Sequence, residues 1–403
     1  MTIKMLTSKP STLFIALSML ITASLLARPV IAQDVTPPPP DTDKTTQKDI
    51  DKIRNSVTRI QGIGMEALGK TTQLQQYKFH GAFSLTNSAS LRNINDNTGY
   101  AFTNQGGSFA LNSAEISIRK EASGNEDPGF YVRIMDGEAK QRLLRGGLSL
   151  AEVYGFRSVI SRTNETKYEV GQFRPLYTYD DIGVDAFVSK SFAFQYMTPV
   201  LVRGVRIQKD ALTGSKTTFQ VHNPLVDGSF ASQQTSLAMT VDTTNEAGTR
   251  RRAAFGVTAP HSSATSTSYL ASLTNETPAA GLGLVRMQLQ ANAAKPTGGD
   301  YDASYAAVIQ LLTPQRRTGQ FGFRIETLSL APGGVSSSVI GTTLPSGSTA
   351  RVGSISLSFI TPDLTKKERT VVELRYDAAS QAMFAAGTQR TQVVLSVGHS
   401  VVF

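Results

Sequence analysis

From Tyr77 to the last residue, apolar and polar side chains alternate with a period of two. That alternation constrains the fold more than any other feature of the chain. Tyr77, Phe79, Phe83 and Leu85 are interleaved with Lys78, His80, Ala82 and Ser84. Tyr301, Ala303, Tyr305, Ala307, Ile309 and Leu311 form a second apolar row, and Ile355, Leu357 and Phe359 alternate with Ser354, Ser356 and Ser358. Successive side chains of a strand point to opposite faces, so each segment carries one apolar and one polar face. A soluble sandwich alternates in the same way. What distinguishes a membrane barrel is the length of the segments and the kind of connection between them.

The alternation predicts strands near 75–85, 107–120, 129–136, 150–160, 166–173, 199–208, 215–222, 233–242, 251–259, 266–274, 283–292, 302–312, 319–329, 351–360, 368–377 and 392–403. About 16 strands, within a range of roughly 14–18, fits the even count of a single-chain outer-membrane barrel. Counted from a periplasmic N-terminus, the turns 121–128, 161–165, 209–215, 243–249, 275–281, 313–318 and 361–367 are short. The outer connections 86–106, 137–149, 174–198, 330–350 and 378–391 are long, although 260–265 and 293–301 are short. Short periplasmic turns and long outer loops are the asymmetry of such barrels. Composition agrees: only 18% of residues are charged, below the figure of about 25% for soluble domains. A mean hydropathy of −0.13 excludes a helical membrane bundle. The absence of Cys excludes disulfides, thiolate metal sites and a thiol nucleophile. The expected fold is all-β, a transmembrane antiparallel barrel preceded by a short periplasmic helix.

The last strand is the most specific segment. Val393, Leu395, Val397, Val401 and Phe403 share one face, interrupted by His399. Ser396, Gly398, Val401 and the terminal Phe403 resemble the outer-membrane insertion signal, polar-x-Gly-x-x-apolar-x-aromatic at the chain end. At the other end, Lys4 and Lys9 precede the apolar stretch 13–27, and Val30, Ile31 and Ala32 supply an A-x-A-like cleavage site. The expectation is a signal peptide over 1–32, export to the outer membrane, a Pro-rich linker over 33–47 and a barrel over 75–403. Between linker and barrel, Ile50, Ile53, Val57 and Ile60 recur in steps of three and four, an amphipathic helix over 48–70. It is read either as a stalk or as a segment that packs on or plugs the barrel mouth. Gly64 to Thr71 spells the phosphate-cradling G-x-x-x-x-G-K-T pattern, but it follows a helix and precedes a strand, the reverse of the order that chemistry needs.

Residues 110–228 resemble the β-barrel porin-2 (OmpL-like) family. The stretches that carry the likeness are Gly129 to Asp136, Leu150 to Tyr154, Tyr168 to Pro175, and Ser191 to Pro199 running into Gly204, Val205 and Arg206. The chain departs from the family pattern in placing Gln172 between Gly171 and Phe173, and only Arg174 between Phe173 and Pro175. The resemblance implies a porin-like barrel and leaves the solute open.

Opposite the apolar rows, the lumen face is expected to present Lys78, Arg119, Arg133, Lys167, Arg206, Lys216, Arg286, Arg324 and Arg375. The same face carries Glu115, Glu169, Glu326 and Glu373, nine bases against four acids and hence a mild anion preference. The strand 150–160 is ambiguous, because Glu152 shares parity with Leu150, Tyr154 and Phe156. Loop 174–198 is the third outer loop and resembles a porin constriction loop. It carries Tyr177, Tyr179, Asp180, Asp181 and Asp185, and it is read either as folded inward to set a transverse field or as an external, solvated loop.

The favoured function is passive diffusion of small hydrophilic solutes, sugars or small anions, through a water-filled barrel. The alternative is a structural or adhesive barrel with a filled lumen; Ser354, Ser356, Ser358, Gln288 and Gln290 argue for water inside. A barrel hydrolase is the weakest reading. Its candidate is His222, since His80, His222, His261 and His399 lack any metal or catalytic spacing, and there is no G-x-S-x-G elbow. No cofactor or metal is expected. The one basic cluster, Arg250 to Arg252, together with the export signal, argues against nucleic acid. The expected partners are outer-membrane lipid, the barrel-assembly machinery and small solutes, with a homotrimer as the candidate assembly.

Overall fold

The computed structural model describes residues 77–91, 109–122, 127–138, 150–161, 164–178, 186–199, 201–211, 214–226, 229–230, 234–260, 266–296, 302–331, 349–362, 367–382, 384 and 389–403. The signal peptide, linker, amphipathic helix and phosphate-loop pattern read from the sequence all lie outside these residues, as do Tyr179, Asp180, Asp181 and Asp185.

In chain order the strands are β1 Tyr77–Ser90, β2 Ala110–Lys120, β3 Gly129–Asp136, β4 Leu150–Ile160, β5 Asn164–Phe173, β6 Val202–Ala211, β7 Ser215–Val226 and the two-residue β8 Ser229–Phe230. They continue as β9 Gln234–Thr244, β10 Arg250–Pro260, β11 Ser266–Ala279, β12 Gly283–Pro296, β13 Asp302–Leu312, β14 Gln320–Leu330, β15 Ala350–Ile360, β16 Glu368–Ala379 and β17 Thr391–Val402. A short helix, α1 Phe192–Met197, lies between β5 and β6. Each long strand pairs antiparallel with the next; β7 pairs with β9, so β8 hangs on the end of β7 outside the ring. The ring closes because β17 also pairs with β1, in register from Ala82 opposite Val402 to Ser90 opposite Val394. Among the described residues the result is a closed barrel of sixteen antiparallel strands, with no free edge to template aggregation.

Most barrel strands are long enough to cross a bilayer, which takes about 9–11 tilted residues. Their outward faces are apolar and open: Val170, Phe219, Phe255, Leu273, Leu289, Tyr305 and Leu357 are all exposed. Their inward faces are buried and largely polar. This inversion, grease outside and polar groups within, identifies a barrel whose solvent is lipid. His399, the one break in the apolar face of β17, shares a 2.9 Å hydrogen bond through its Nδ1 with Thr370 on β16.

The observed elements also correct the expected ones. Strands β11 and β12 run further than the predicted 266–274 and 283–292, and their turn shrinks from 275–281 to the few residues around Gly281. Asn275, Glu276 and Thr277 look like turn residues in the sequence. In the barrel Glu276 stays in the ladder opposite Arg286, and the ion pair they make belongs to the inner face. Strand β6 starts at Val202 rather than near 199, because Ser191 to Thr198 form a capped helix. The Ser191 hydroxyl accepts from Phe194 N at 3.2 Å, an N-cap. Phe192 and Tyr196 then stack one turn apart at 5.9 Å.

Candidate functional site

Which face is inward is decided by what the side chains touch. Ser358, Arg324, Arg375 and Glu373 all hydrogen-bond the connection between β5 and β6, which therefore lies inside the ring. Of the two readings of loop 174–198, the inward one describes its residues 174–178 and 186–198.

The loop leaves β5 at Arg174, whose Nε donates to Glu152 at 2.8 Å. It crosses to the far wall, where Tyr177 is buried against Ala238, Ala254 and Leu270. The seat is a glycine: a methyl group at Gly256 would press on the Tyr177 hydroxyl. Ser272 Oγ donates to the Tyr177 carbonyl at 2.7 Å, and Thr178 Oγ1 donates to Gln288 at 3.2 Å. Further on, Ser358 Oγ donates to Ala186 O at 2.8 Å, and Phe187 and Val188 pack on Leu312, Ile360 and Val371.

The centre of the anchorage is Ser189. Its N–H and its hydroxyl both donate to Glu373, at 2.7 and 2.6 Å. Its Oγ accepts from Arg324 at 2.6 Å and from Arg375 at 3.0 Å, and its carbonyl accepts from Arg324 at 2.9 Å. One hydroxyl thus uses its donor and both lone pairs. Glu326 accepts from Phe192 N at 2.6 Å and lies 2.7 Å from Arg375 Nη2, while Asp377 accepts from Arg375 Nε at 2.8 Å. Arg324 and Arg375 also stack on Phe187 and Phe192 of the loop, at 4.5 and 4.4 Å. All five charged side chains are essentially fully buried, which is tolerable only because each is paired and hydrogen-bonded. Helix α1 lays Phe192, Ala193, Tyr196 and Met197 on Ala306, Val308, Leu328, Leu330 and Val352. Thr198 and Gln290 exchange hydrogen bonds at 3.1 and 3.2 Å, and Asn292 donates to Met197 O at 3.1 Å.

These contacts overturn one inference from the sequence. Gln290 and Ser358 bond the loop directly, Gln288 takes Thr178, Ser356 Oγ accepts from Arg324, and Ser354 is buried. The polarity of Gln288, Gln290, Ser356 and Ser358 serves the inward segment and the arginine beneath it, and not a water column.

The wall from β1 to β7 is organised differently. Arg133 is held by Glu115 (Nε at 2.8 Å) and by Glu152 (Nη1 at 2.9 Å). Lys167 lies 2.7 Å from Glu169, which also takes Arg206. The cations rest on aromatic faces, Lys167 3.9 Å from the Phe156 centroid and Arg206 4.4 Å from that of Phe173. The ambiguity of β4 is resolved here: Glu152, Tyr154, Phe156 and Ser158 are its buried, inward residues, and the rings face in because cations cover them. Arg119 pairs with Glu121 at 2.8 Å and Lys216 with Asp210 at 3.9 Å. Glu121 lies beyond the end of β2. Burial acts to raise its carboxyl, but Arg119 and Lys78 outweigh that and hold it below its ordinary value. Two cavities open along this wall. One of about 430 Å³ is lined by Arg119, Lys167, Glu169, Arg206 and Lys216, and one of about 300 Å³ by Glu115, Tyr131 and Arg133.

The structure therefore places Arg133, Lys167, Glu169, Arg206 and Lys216 beside open space, and Arg324, Glu326, Glu373 and Arg375 beneath the loop. Arg286 pairs with Glu276 at 2.6 Å on the inner face of β12. The tally of nine bases against four acids is incomplete. It missed Glu152, Asp242, Glu276 and Asp377, which pair with Arg133, Arg252, Arg286 and Arg375. Strand parity could have found Asp242 and Asp377; Glu152 shares parity with apolar residues of β4, and Glu276 stands in a stretch that reads as a turn. Ser396 and Gly398 face inward, Ser396 sharing a 2.7 Å hydrogen bond with Ser88. The Phe403 ring lies over Gly81, and the two residues exchange backbone hydrogen bonds at 2.9 Å in both directions. His222 is buried on the inner face, and neither ring nitrogen has a hydrogen-bond partner among the described residues.

A closed sixteen-strand barrel narrowed by an inward loop after its fifth strand is the porin architecture. No family model and no curated protein matches this chain, so the porin-2 likeness goes no further than the stretches quoted above. Solved structures do share the fold. The anion-selective porin of Comamonas acidovorans superposes with a TM-score of 0.57 at 10% identity, over 81% of this chain and 99% of that one. OprB of Pseudomonas putida gives 0.53 at 11% identity, over 84% and 97%. The outer-membrane channel DcaP of Acinetobacter baumannii gives 0.52 at 8% identity, over 81% and 97%. At these identities the likeness is one of fold.

Proposed function

We propose that the protein is an outer-membrane porin through which small hydrophilic solutes diffuse passively. The observation that carries this reading is the asymmetry of the interior. The loop occupies the side formed by β9–β16, while cavities of about 430 and 300 Å³ run along β1–β7. A structural barrel would need side chains filling both sides. The filled-lumen alternative draws support from the Ser and Gln row bound to the loop, and it requires that the β1–β7 side be closed as well. The pore-lining residues on this reading are Arg133, Lys167, Glu169, Arg206 and Lys216, with Arg324, Glu326, Glu373 and Arg375 holding the constriction in place. Outer-membrane lipid covers the outer face. Kinship with the porin-2 family, the signal peptide, delivery by the assembly machinery and a homotrimer belong to the same reading.

The test is reconstitution of purified protein in planar bilayers. Discrete, ohmic conductance steps are expected, and passage of small sugars in liposome swelling. Protein that is folded and inserted yet silent in both assays would leave the filled barrel as the better description. Neutralising Asp180, Asp181 and Asp185 to Asn then asks whether their segment borders the passage, since selectivity moves towards anions only if it does.

A further inference from the structure

The smaller cavity differs in chemistry from the rest of the interior. It lies between β17, β1, β2 and β3, and Arg174 borders it where the loop leaves the wall. Its two guanidinium groups, Arg133 and Arg174, are matched by Glu115 and Glu152 within 2.9 Å, so it presents neither net sign to an ion. The rest of the lining is led by short hydroxyl groups, Ser84, Ser113, Ser117 and Ser400, beside the rings of Tyr131 and His80 and a small apolar margin of Phe83 and Val402. Ser84 and Ser113 are already linked at 2.8 Å, which holds these two hydroxyls in place. A volume near 300 Å³ stands at the lower end of small-molecule sites, about 300–1,000 Å³, room for one small solute.

We propose that this cavity is a recognition subsite for a neutral, polyhydroxylated solute of monosaccharide size. Hydroxyl pairs on such a solute match the planar Arg133–Glu115 pair, which offers donors and acceptors side by side, and the serine row supplies single bonds around it. A lone anion or cation gains little here, because it must compete with a partner already in place. The inference rests on the porin reading and adds to it the class of solute that lingers in the channel.

The experiment uses the full chain in planar bilayers. Current is recorded while D-glucose is titrated, with polyethylene glycol of similar size as the neutral control for obstruction. Glucose is expected to reduce the current saturably and at lower concentration than the polymer. In the double variant Ser117→Ala/Ser400→Ala the half-blocking concentration of glucose, each channel scaled to its own sugar-free current, should rise about tenfold, as expected for two lost neutral hydrogen bonds. Polymer obstruction should stay where it was, and Ser236→Ala on the opposite wall should not move the glucose titration. A conducting channel in which glucose acts no better than the polymer, or blocks parent and double variant alike, overturns the subsite and leaves the porin standing. Wild-type protein that inserts and carries no current overturns both.

Discussion

At the scale of single residues, two small side chains hold more than their size suggests. Ser189 is the joint between the loop and the β14–β16 wall, and its hydroxyl satisfies Arg324, Arg375 and Glu373 together. Ser189→Ala leaves buried charged partners one hydrogen bond short, at about 1–3 kcal/mol for each group left unsatisfied. The expected outcome is a barrel that still assembles and carries larger, noisier single-channel currents, because the strands do not depend on Ser189 and the loop does. Quiet currents of parental size would mean that the loop is held elsewhere. Gly81 is the second case. A side chain there would overlap the Phe403 ring, and the pair closes the β1–β17 seam through reciprocal backbone hydrogen bonds. Gly81→Val should therefore reduce the heat-modifiable, outer-membrane form, and so should Phe403→Ser. Combined, the two losses should be less than additive, because they remove one contact. Strict additivity in the outer-membrane yield would show that ring and glycine act separately.

At the scale of elements, the loop between β5 and β6 behaves as an extra wall layer. Its first part is seated by Tyr177 on the small residues Ala238, Ala254 and Gly256, its second part by α1 on an apolar inner patch. Glycine is required at 256 by the approach of Tyr177 and not by its own backbone. Gly256→Val should unseat the first part of the loop while β10 stays paired to β9 and β11. Limited proteolysis of the inserted protein would then cut within 174–191 in the variant and spare the parent. Equal resistance would place the anchorage in α1 alone. The inner apolar patch was hard to read from the sequence. Ala306, Val308, Leu328 and Leu330 sit at inward positions where alternation leads one to expect polar groups, and they are apolar because a helix and not water covers them.

At the scale of the whole molecule, the barrel has a basic composition and an interior of matched charges. The chain carries a formal +9, yet Arg133, Lys167, Arg206, Arg252, Arg286 and Arg375 each have a carboxylate within ion-pair distance on the inner face. Paired charges across a watery passage are screened over about 8–10 Å at physiological salt. The reversal potential in a salt gradient should lie nearer zero than the Nernst value of either ion, with less anion preference than the basic tally suggests. Two arginines that look equivalent in sequence should then separate. Arg206→Gln frees part of Glu169 beside the larger cavity and should shift selectivity towards cations. Arg324→Gln should act through the loop, as added noise. A common selectivity shift in both would contradict the division of the interior into an open and a covered side.

Alternation alone determined a great deal: the strand count, most strand boundaries, the outward apolar faces and the inward parity of every charged residue first assigned to the lumen. Side-chain direction in a strand is a local property, fixed by the backbone two residues at a time. The pairing of charges was decided by register, which sets Arg133 opposite Glu152 and Arg252 opposite Asp242 on neighbouring strands. The fate of loop 174–198 was decided later still, when ring closure brought residues 135–186 positions away in sequence, Arg324, Glu373 and Arg375, to one serine. A hydroxyl on β15 reads the same in sequence whether water or a loop will bond it. Only the closed barrel, by bringing Ala186 against Ser358, decides which.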